Sequence, residues 1–263
     1  MDFTYEKLAE AIKEKMGIDF KKKLEYLKRK IEPIIREENI TIAEIMSKMN
    51  KEPQYLQRII ELVTINETYF FREQEQLEAF KDALIELKKQ KRSIRIWSSA
   101  CSSGEEPYTL AFIAKDIVGE DVEIEIVATD INMDVLDIAR KGEYSKSSLS
   151  FRRMDKRYIE KYFEEEEHHY KVKQEYKKMI RFTNFNLVDR DKWIMMKNFD
   201  IIFCRNVLIY FDDKTIKEIN KNFYNSLCEK GYLFLGHSDP HREIHSEFHM
   251  ISTKDSTYLK KGE

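Results

Sequence analysis

Glu105 and Glu106 follow directly on Ser98–Gly104, a run of small residues, and stand just ahead of Pro107. Small side chains let a backbone come close to a ligand, and Pro107 suits a first helical turn. Before the run, Ile94 to Trp97 alternates apolar and polar residues like a strand. After it, Leu110, Ala111, Ile113, Ala114, Ile117 and Val118 mark one face of a helix. Strand, tight loop and helix form the unit that holds nucleotides. The Gly-x-Gly-x-x-Gly fingerprint is missing, however, and carboxylates occupy the place where a pyrophosphate would need amides and positive charge. An adenosine-bearing ligand without phosphates fits better, and S-adenosylmethionine is the commonest of these. By itself the stretch does not exclude an ordinary βα turn. Asp130 follows a second strand, Val122 to Ala128, and lies 26 positions after Gly104. An acidic residue there is the partner expected for ribose hydroxyls, although an Asp at a strand end is often only a cap.

These residues need a sheet to carry them. Phe199–Asn206 is almost continuously apolar, as a central parallel strand should be, and delivers Arg205 and Asn206 at its carboxyl end. Another strand ends in Phe182–Leu187. A helix is expected from Asp212 to Cys228, stopped by Gly231, then a strand at Tyr232–Gly236. Thr257–Lys260 can pair antiparallel beside that strand. Between Gly142 and Ile180 the alternation breaks. A short helix from Met154 to Tyr162 and a small hairpin are expected there, with Glu164-Glu-Glu-Glu-His-His169 as its solvated tip.

Residues 1–64 read as helices alone. Tyr5–Met16 ends at Gly17, a natural C-cap. Phe20–Glu38 carries an apolar stripe through Leu24, Leu27, Ile31, Ile34 and Ile35, with a kink expected at Pro33. Thr41 and Glu44 form a capping box, and Pro53 opens a helix to Val63. Lys21, Lys22, Lys23, Lys28, Arg29 and Lys30 make the second helix basic, which suits a solvated face as well as a docking surface for an acidic partner. Thr64–Glu73 interleaves Asn66, Thr68 and Arg72 with Tyr69, Phe70 and Phe71, and leads into an amphipathic helix to about Lys89. Its position makes it a candidate lid over the ligand crevice.

Across 263 residues, 36% are charged, above the usual ~25%, yet the net charge is only −2. That balance gives no support for bulk nucleic-acid binding. Cys101, Cys204 and Cys228 are widely spaced, without CxxC or zinc spacing, as expected for reduced thiols in cytoplasm. Met1–Ile18 lacks the apolar core of a signal peptide, and no run reaches membrane-spanning length. A soluble, cytoplasmic protein that does not insert into the membrane is expected.

Five motifs in order carry a resemblance. Asn66-Glu-Thr-x-Phe-Phe-Arg72, Gly104-Glu-Glu-Pro-Tyr108, Ala128-Thr-Asp130, Phe203-Cys-Arg-Asn-Val-x-Ile-Tyr-Phe211 and Gly236-His-Ser238 resemble those of the chemotaxis receptor methyltransferases, the CheR type. The resemblance implies an α/β class I S-adenosylmethionine-dependent fold, Rossmann-like, with a mostly parallel sheet and an antiparallel edge strand. An N-terminal all-α domain over 1–64, a linker or lid with its helix over 65–90, and a methyltransferase domain over 91–263 follow, with an antiparallel β subdomain inserted at about 143–181. It implies methyl transfer to glutamate side chains on cytoplasmic helices of chemoreceptors, giving methyl esters and S-adenosylhomocysteine. By similarity Asn66, Thr68, Arg72, Glu106, Asp130, Asn186, Leu187, Arg205 and Asn206 line the cofactor pocket, while Arg72 and Tyr210 face the substrate carboxylate. Docking falls to the basic helix through Lys21, Lys22, Lys28 and Arg29. A monomer is expected, with no metal. Asp239 stands where the family usually has Glu. Some members hold a receptor's carboxyl-terminal peptide on a glycine-containing loop of the inserted subdomain, and Tyr162–Val172 contains no glycine, so an enzyme independent of that tether is expected.

Rival readings differ in residue type. A small-molecule methyltransferase would not need the helical module together with Asn66–Arg72. A DNA amino-group methyltransferase would want Asn/Asp-Pro-Pro-aromatic after the fourth strand, where Arg205-Asn-Val-Leu stands. A non-catalytic binder of the cofactor would have no use for Arg72 and Tyr210. His237, His241, His245 and His249 recur every fourth residue, a spacing that on a helix would form a metal face. A carboxylate substrate gives that metal nothing to do.

Overall fold

Leu8 and Ile12, Leu27 and Ile31, each a turn apart, are fully buried, as are Ile45 and Ile59. That spacing is why the first helices bundle. The computed structural model describes residues 3–240, 244–253 and 256–262. Its opening elements are α1 (Phe3–Met16), α2 (Leu24–Glu38), α3 (Ile42–Lys51) and α4 (Pro53–Val63), which share one apolar core. The capping box at Thr41 and Glu44 forms as expected. The basic segment is not one helix. Lys21–Lys23 makes a 3-10 turn, and α2 then runs on through Pro33.

The chain continues as α5 (Gln74–Leu87), β1 (Ser93–Ser99), α6 (Glu105–Val118), β2 (Glu123–Asp130) and α7 (Met133–Lys141). After these come β3 (Glu143–Ser145), α8 (Lys156–Tyr162), β4 (Phe163–Glu165), β5 (His169–Val172) and α9 (Gln174–Lys177). The last elements are β6 (Ile180–Asn184), β7 (Phe199–Cys204), α10 (Asp213–Ser226), β8 (Leu227–Leu235), β9 (Phe248–Ser252) and β10 (Thr257–Lys261). The main sheet has the order β6-β2-β1-β7-β8-β10-β9. Its first five strands are parallel, and β10 and β9 run antiparallel at the edge. Ile94, Ile96, Ile126 and Phe203 face one core, with α5 and α6. Trp97, Val127, Ile202 and Cys204 face the other, with α10. Period-two alternation thus serves two apolar faces, which is why β7 is buried at every position. A second sheet, β3-β5-β4, is antiparallel and lies between α7 and β6 in sequence.

Some elements differ from expectation. Helix α6 begins at Glu105, ahead of Pro107, because the left-handed Gly104 at φ 97° starts the turn. Helix α10 ends at Ser226, and Gly231 lies inside β8 instead of stopping the helix. The left-handed Lys230 at φ 62° and a register shift opposite Phe199–Ile201 absorb the turn there. Strand β9 is an addition. Its partly exposed edge position leaves only a weak apolar pattern.

Candidate active site

The strand order reverses direction across β1 and β7: the chain moves from β1 out to β2 and β6, then returns to β7 on the other side. A crevice opens beyond the carboxyl ends of such strands. All nine expected cofactor residues, and Tyr210, border one crevice there. The loop after β1 enters it through Ala100 at φ 56° and Ser102 at φ 49°. Gly104 has another task. A Cβ on it would stand 2.8 Å from that of Ala139, so its bareness lets α6 pack on α7.

Asp130 is buried at the end of β2, and burial pushes its carboxyl upward in pKa. The amides of Ser102 and Asn132 donate to it at 2.8 and 2.9 Å, favouring the ionised form. Each oxygen takes one of these amides and retains capacity for a hydroxyl. Glu106 accepts from the Ser98 hydroxyl and from Arg205 Nε, both at 2.7 Å. Arg205 also donates to the carbonyl of Arg72 at 2.7 Å and lies 3.5 Å from Glu73 Oε2. Asn206 Nδ2 donates to Glu73 Oε1 at 3.0 Å. Glu73 therefore fastens the strand-end pair to the stretch that precedes α5. Its place closing the Thr64–Glu73 stretch is the available signal, but its role depends on β7.

In the sequence, Asp239 stands out only as a replacement for Glu. In the fold its carboxylate accepts backbone amides from Asn206 at 2.5 Å, Gly236 at 2.8 Å, Leu208 at 2.9 Å and Ile209 at 3.4 Å. This holds the turn that carries Asn206, in the left-handed region at φ 60°, and Tyr210. A Cβ on Gly236 would lie 2.7 Å from the Asn206 amide, so only glycine allows that approach. Burial raises the carboxyl to about 6 despite the four amides.

The segment between α1 and α2 closes the crevice from the helical side. Met16, Ile18 and Phe20 line it. Asn186 donates to the Lys15 carbonyl at 2.8 Å, and the Asp19 amide donates to that of Tyr210 at 2.8 Å. Lys13 bridges Asp19 at 3.0 Å and Asp212 at 2.6 Å. Phe185, Leu187 and Phe211 give apolar wall. Sequence reading missed this segment, as well as Phe185 and Phe211, because no local pattern marks a contact between residues so far apart.

In the stretch before α5, Asn66 donates to Thr64 Oγ1 at 3.2 Å, its carbonyl accepts from Ser102 Oγ at 3.0 Å, and Thr68 borders the crevice. Arg72 donates to the Glu67 carbonyl at 2.9 Å. Tyr210 is half-buried, and burial raises its phenol. Lys23 lies 4.7 Å from the centre of its ring. The basic segment thus begins beside the crevice, with Lys22 and Arg29 exposed, Lys28 partly so, and Lys21 paired to Glu10 at 3.3 Å. The histidines share no helix: His245 stacks on Tyr224 in a loop, His249 sits on β9, and His241 lies outside the described residues.

Comparison with known proteins matches residues 66–257 to the model described as CheR methyltransferase, SAM binding domain. The chain belongs to the CheR methyltransferase family. This CheR chain is 38% identical over 208 residues to chemotaxis protein methyltransferase 2 of Vibrio cholerae, covering 77% of this chain and 72% of that one. With the chemotaxis protein methyltransferase of Listeria innocua it shares 33% over 242 residues, covering 90% and 89%. With that of Vibrio parahaemolyticus it shares 30% over 262 residues, covering 95% and 94%. The sheet is that of an S-adenosylmethionine-dependent methyltransferase, and the crevice chemistry fits such a ligand. It pairs apolar wall with two carboxylates, and its buried guanidinium, Arg205, is already neutralised by Glu106 and Glu73. No described helix is long and apolar enough to cross a membrane.

Proposed function

We propose that this CheR chain methylates glutamate side chains on the cytoplasmic helices of chemoreceptors, using S-adenosylmethionine and releasing S-adenosylhomocysteine. One observation carries the reading: Arg72 and Tyr210 border the same crevice as Glu106 and Asp130. A carboxylate reaching the crevice meets two donors beside a site suited to the cofactor. The relatives' names, as chemotaxis protein methyltransferases, agree with a chemoreceptor substrate.

Glu106 suits the cofactor's ammonium, Asp130 its ribose hydroxyls, and Phe185 and Leu187 its base. When bound, the cofactor supplies a methyl group on a positively charged sulfur. A glutamate with a pKa near ~4.3 arrives ionised, so no residue need act as base. Arg72 offers a planar fork to that carboxylate. Tyr210 stays protonated through burial and donates a second bond. Orientation in a dry pocket supplies much of the acceleration, because the reacting charges neutralise one another. The mechanism calls for no Lewis acid.

Lys21, Lys22, Lys28 and Arg29 are the receptor-docking residues of this reading, since their segment leads to Tyr210 through Lys23. The enzyme acts as a monomer without a receptor tether. The β4–β5 hairpin contains no glycine, and Glu164, Glu165, Glu166 and Glu167 are all exposed on it, so an acidic peptide is repelled. The test is to incubate the chain with methyl-labelled cofactor and receptor-bearing membranes, then locate the base-labile ester by peptide mapping. Cofactor binding without transfer would support a sensor instead.

A further inference from the structure

Two arginines share one tyrosine beside the crevice. The guanidinium carbon of Arg152 is 3.8 Å from the centre of the Tyr69 ring, and that of Arg72 is 5.6 Å from it. Arg72 belongs to the stretch before α5, while Arg152 comes from the segment between β3 and α8. Glu67 joins them: its carboxylate accepts from Arg152 Nη2 at 2.8 Å, and its carbonyl from Arg72 at 2.9 Å. Glu67 itself borders the crevice.

The two partners of that ion pair differ in freedom. Arg152 is 28% exposed and rests on the ring face, with a further bond to the Leu149 carbonyl at 3.4 Å. Glu67 is 72% exposed, so its side chain can leave for water at little cost. The guanidinium is held ready and the carboxylate on it is replaceable. Leu149, in the same turn as Arg152, is an apolar side chain left 72% exposed. A helix offering acidic side chains three or four residues apart, with Cβ atoms ~5–6 Å apart, can reach both arginines.

We propose that Arg152, stacked on Tyr69 beside Arg72, is a second carboxylate-binding position. It takes an acidic side chain one helical turn from the glutamate being methylated, and Glu67 fills it until the receptor arrives. The proposal rests on the receptor-methylating reading and adds to it a preference for acidic neighbours.

The test uses the full chain with a soluble receptor fragment bearing the methylation helices, and a second fragment whose acidic residues three and four positions from the target are changed to Gln. Arg152→Gln should raise KM for the first fragment about tenfold, with kcat and cofactor affinity within about twofold of the parent. Arg152→Lys should recover part of the loss. Glu67→Gln, which removes the competing negative charge, should lower KM. Neutralised neighbours should raise KM for the parent but add little to Arg152→Gln. If the parent leaves no base-labile label on either fragment, the methylation reading falls and the subsite with it. If the parent labels the fragment while Arg152→Gln keeps its KM, or Glu67→Gln harms KM as Arg152→Gln does, the subsite alone is overturned.

Discussion

Glu106 and Asp130 are both carboxylates, yet their surroundings assign them different tasks. Glu106 balances a buried guanidinium, whereas Asp130 takes only backbone amides. Glu106→Gln and Asp130→Asn should each weaken S-adenosylmethionine and S-adenosylhomocysteine by about 1–3 kcal/mol in isothermal titration. Undiminished affinity in both would remove the ligand from this crevice. Arg72→Lys retains charge without the planar fork, so kcat should fall by more than cofactor affinity does. Asp239 yields a pH prediction. Its carboxyl is raised from 3.8 to about 6, so its contribution to stability is full below 3.8 and lost as pH rises through about 6. Unfolding measured from about pH 4 to about pH 7 should show the parent losing up to roughly 3 kcal/mol relative to Asp239→Asn. Cofactor affinity should move oppositely, weakening below about pH 6 as the protonated acid stops accepting all four amides. Parallel pH profiles for the parent and Asp239→Asn would contradict this account.

At the scale of elements, the segment between α1 and α2 connects the helical bundle to the sheet. Lys13 spans it, and Asp212 also caps α10 through the Thr215 amide at 2.8 Å. Burial pushes Asp212 up, but Lys13 and that amide outweigh it and leave the carboxyl at about 2. This depressed group contributes its stability above 3.8 and loses it as pH falls through about 2. The pair is partly exposed, so Lys13→Met should cost about 1 kcal/mol or less in denaturant unfolding. Cofactor affinity should fall severalfold in the same variant, since Ile18 and Phe20 lose their anchor. Equal affinity would mean that the segment holds without the latch. On the neighbouring basic segment, Lys22→Glu with Lys28→Glu should raise KM for receptor, and added salt should do likewise for the parent.

For the whole molecule, the remaining question is how it finds its substrate. Receptor lacking its last few residues should be methylated as fast as the full-length form, if docking runs through the basic segment and not the small sheet. Abolished methylation on truncation would return that role to the β4–β5 hairpin. The small sheet is not idle in either case. Ser150, on the way into it, donates to the buried Glu105 at 2.7 Å, and its carbonyl accepts the Phe70 amide at 2.9 Å. The inserted segment, the stretch around Phe70 and the start of α6 are therefore built as one wall.

Much of this was legible in the residues alone, and for a physical reason. Alternation in Ile94–Trp97, the unbroken apolar run of Phe199–Cys204 and the stripe through Leu27 and Ile31 are local records of which faces must leave water. The order of strand and helix then limits the sheet to few arrangements. Asp130 could be named from its strand end, because loops there stay on their strands whatever the rest does, while the family resemblance pointed to Glu106, Arg205 and Asn206. Tertiary structure decided what depended on distant partners. Whether Asp239 would face solvent or gather four amides, whether Lys13 would meet Asp212, and which wall Met16 to Phe20 would form were questions of approach. No local pattern encodes those meetings, because their energy arises only once the bundle and the sheet are packed together.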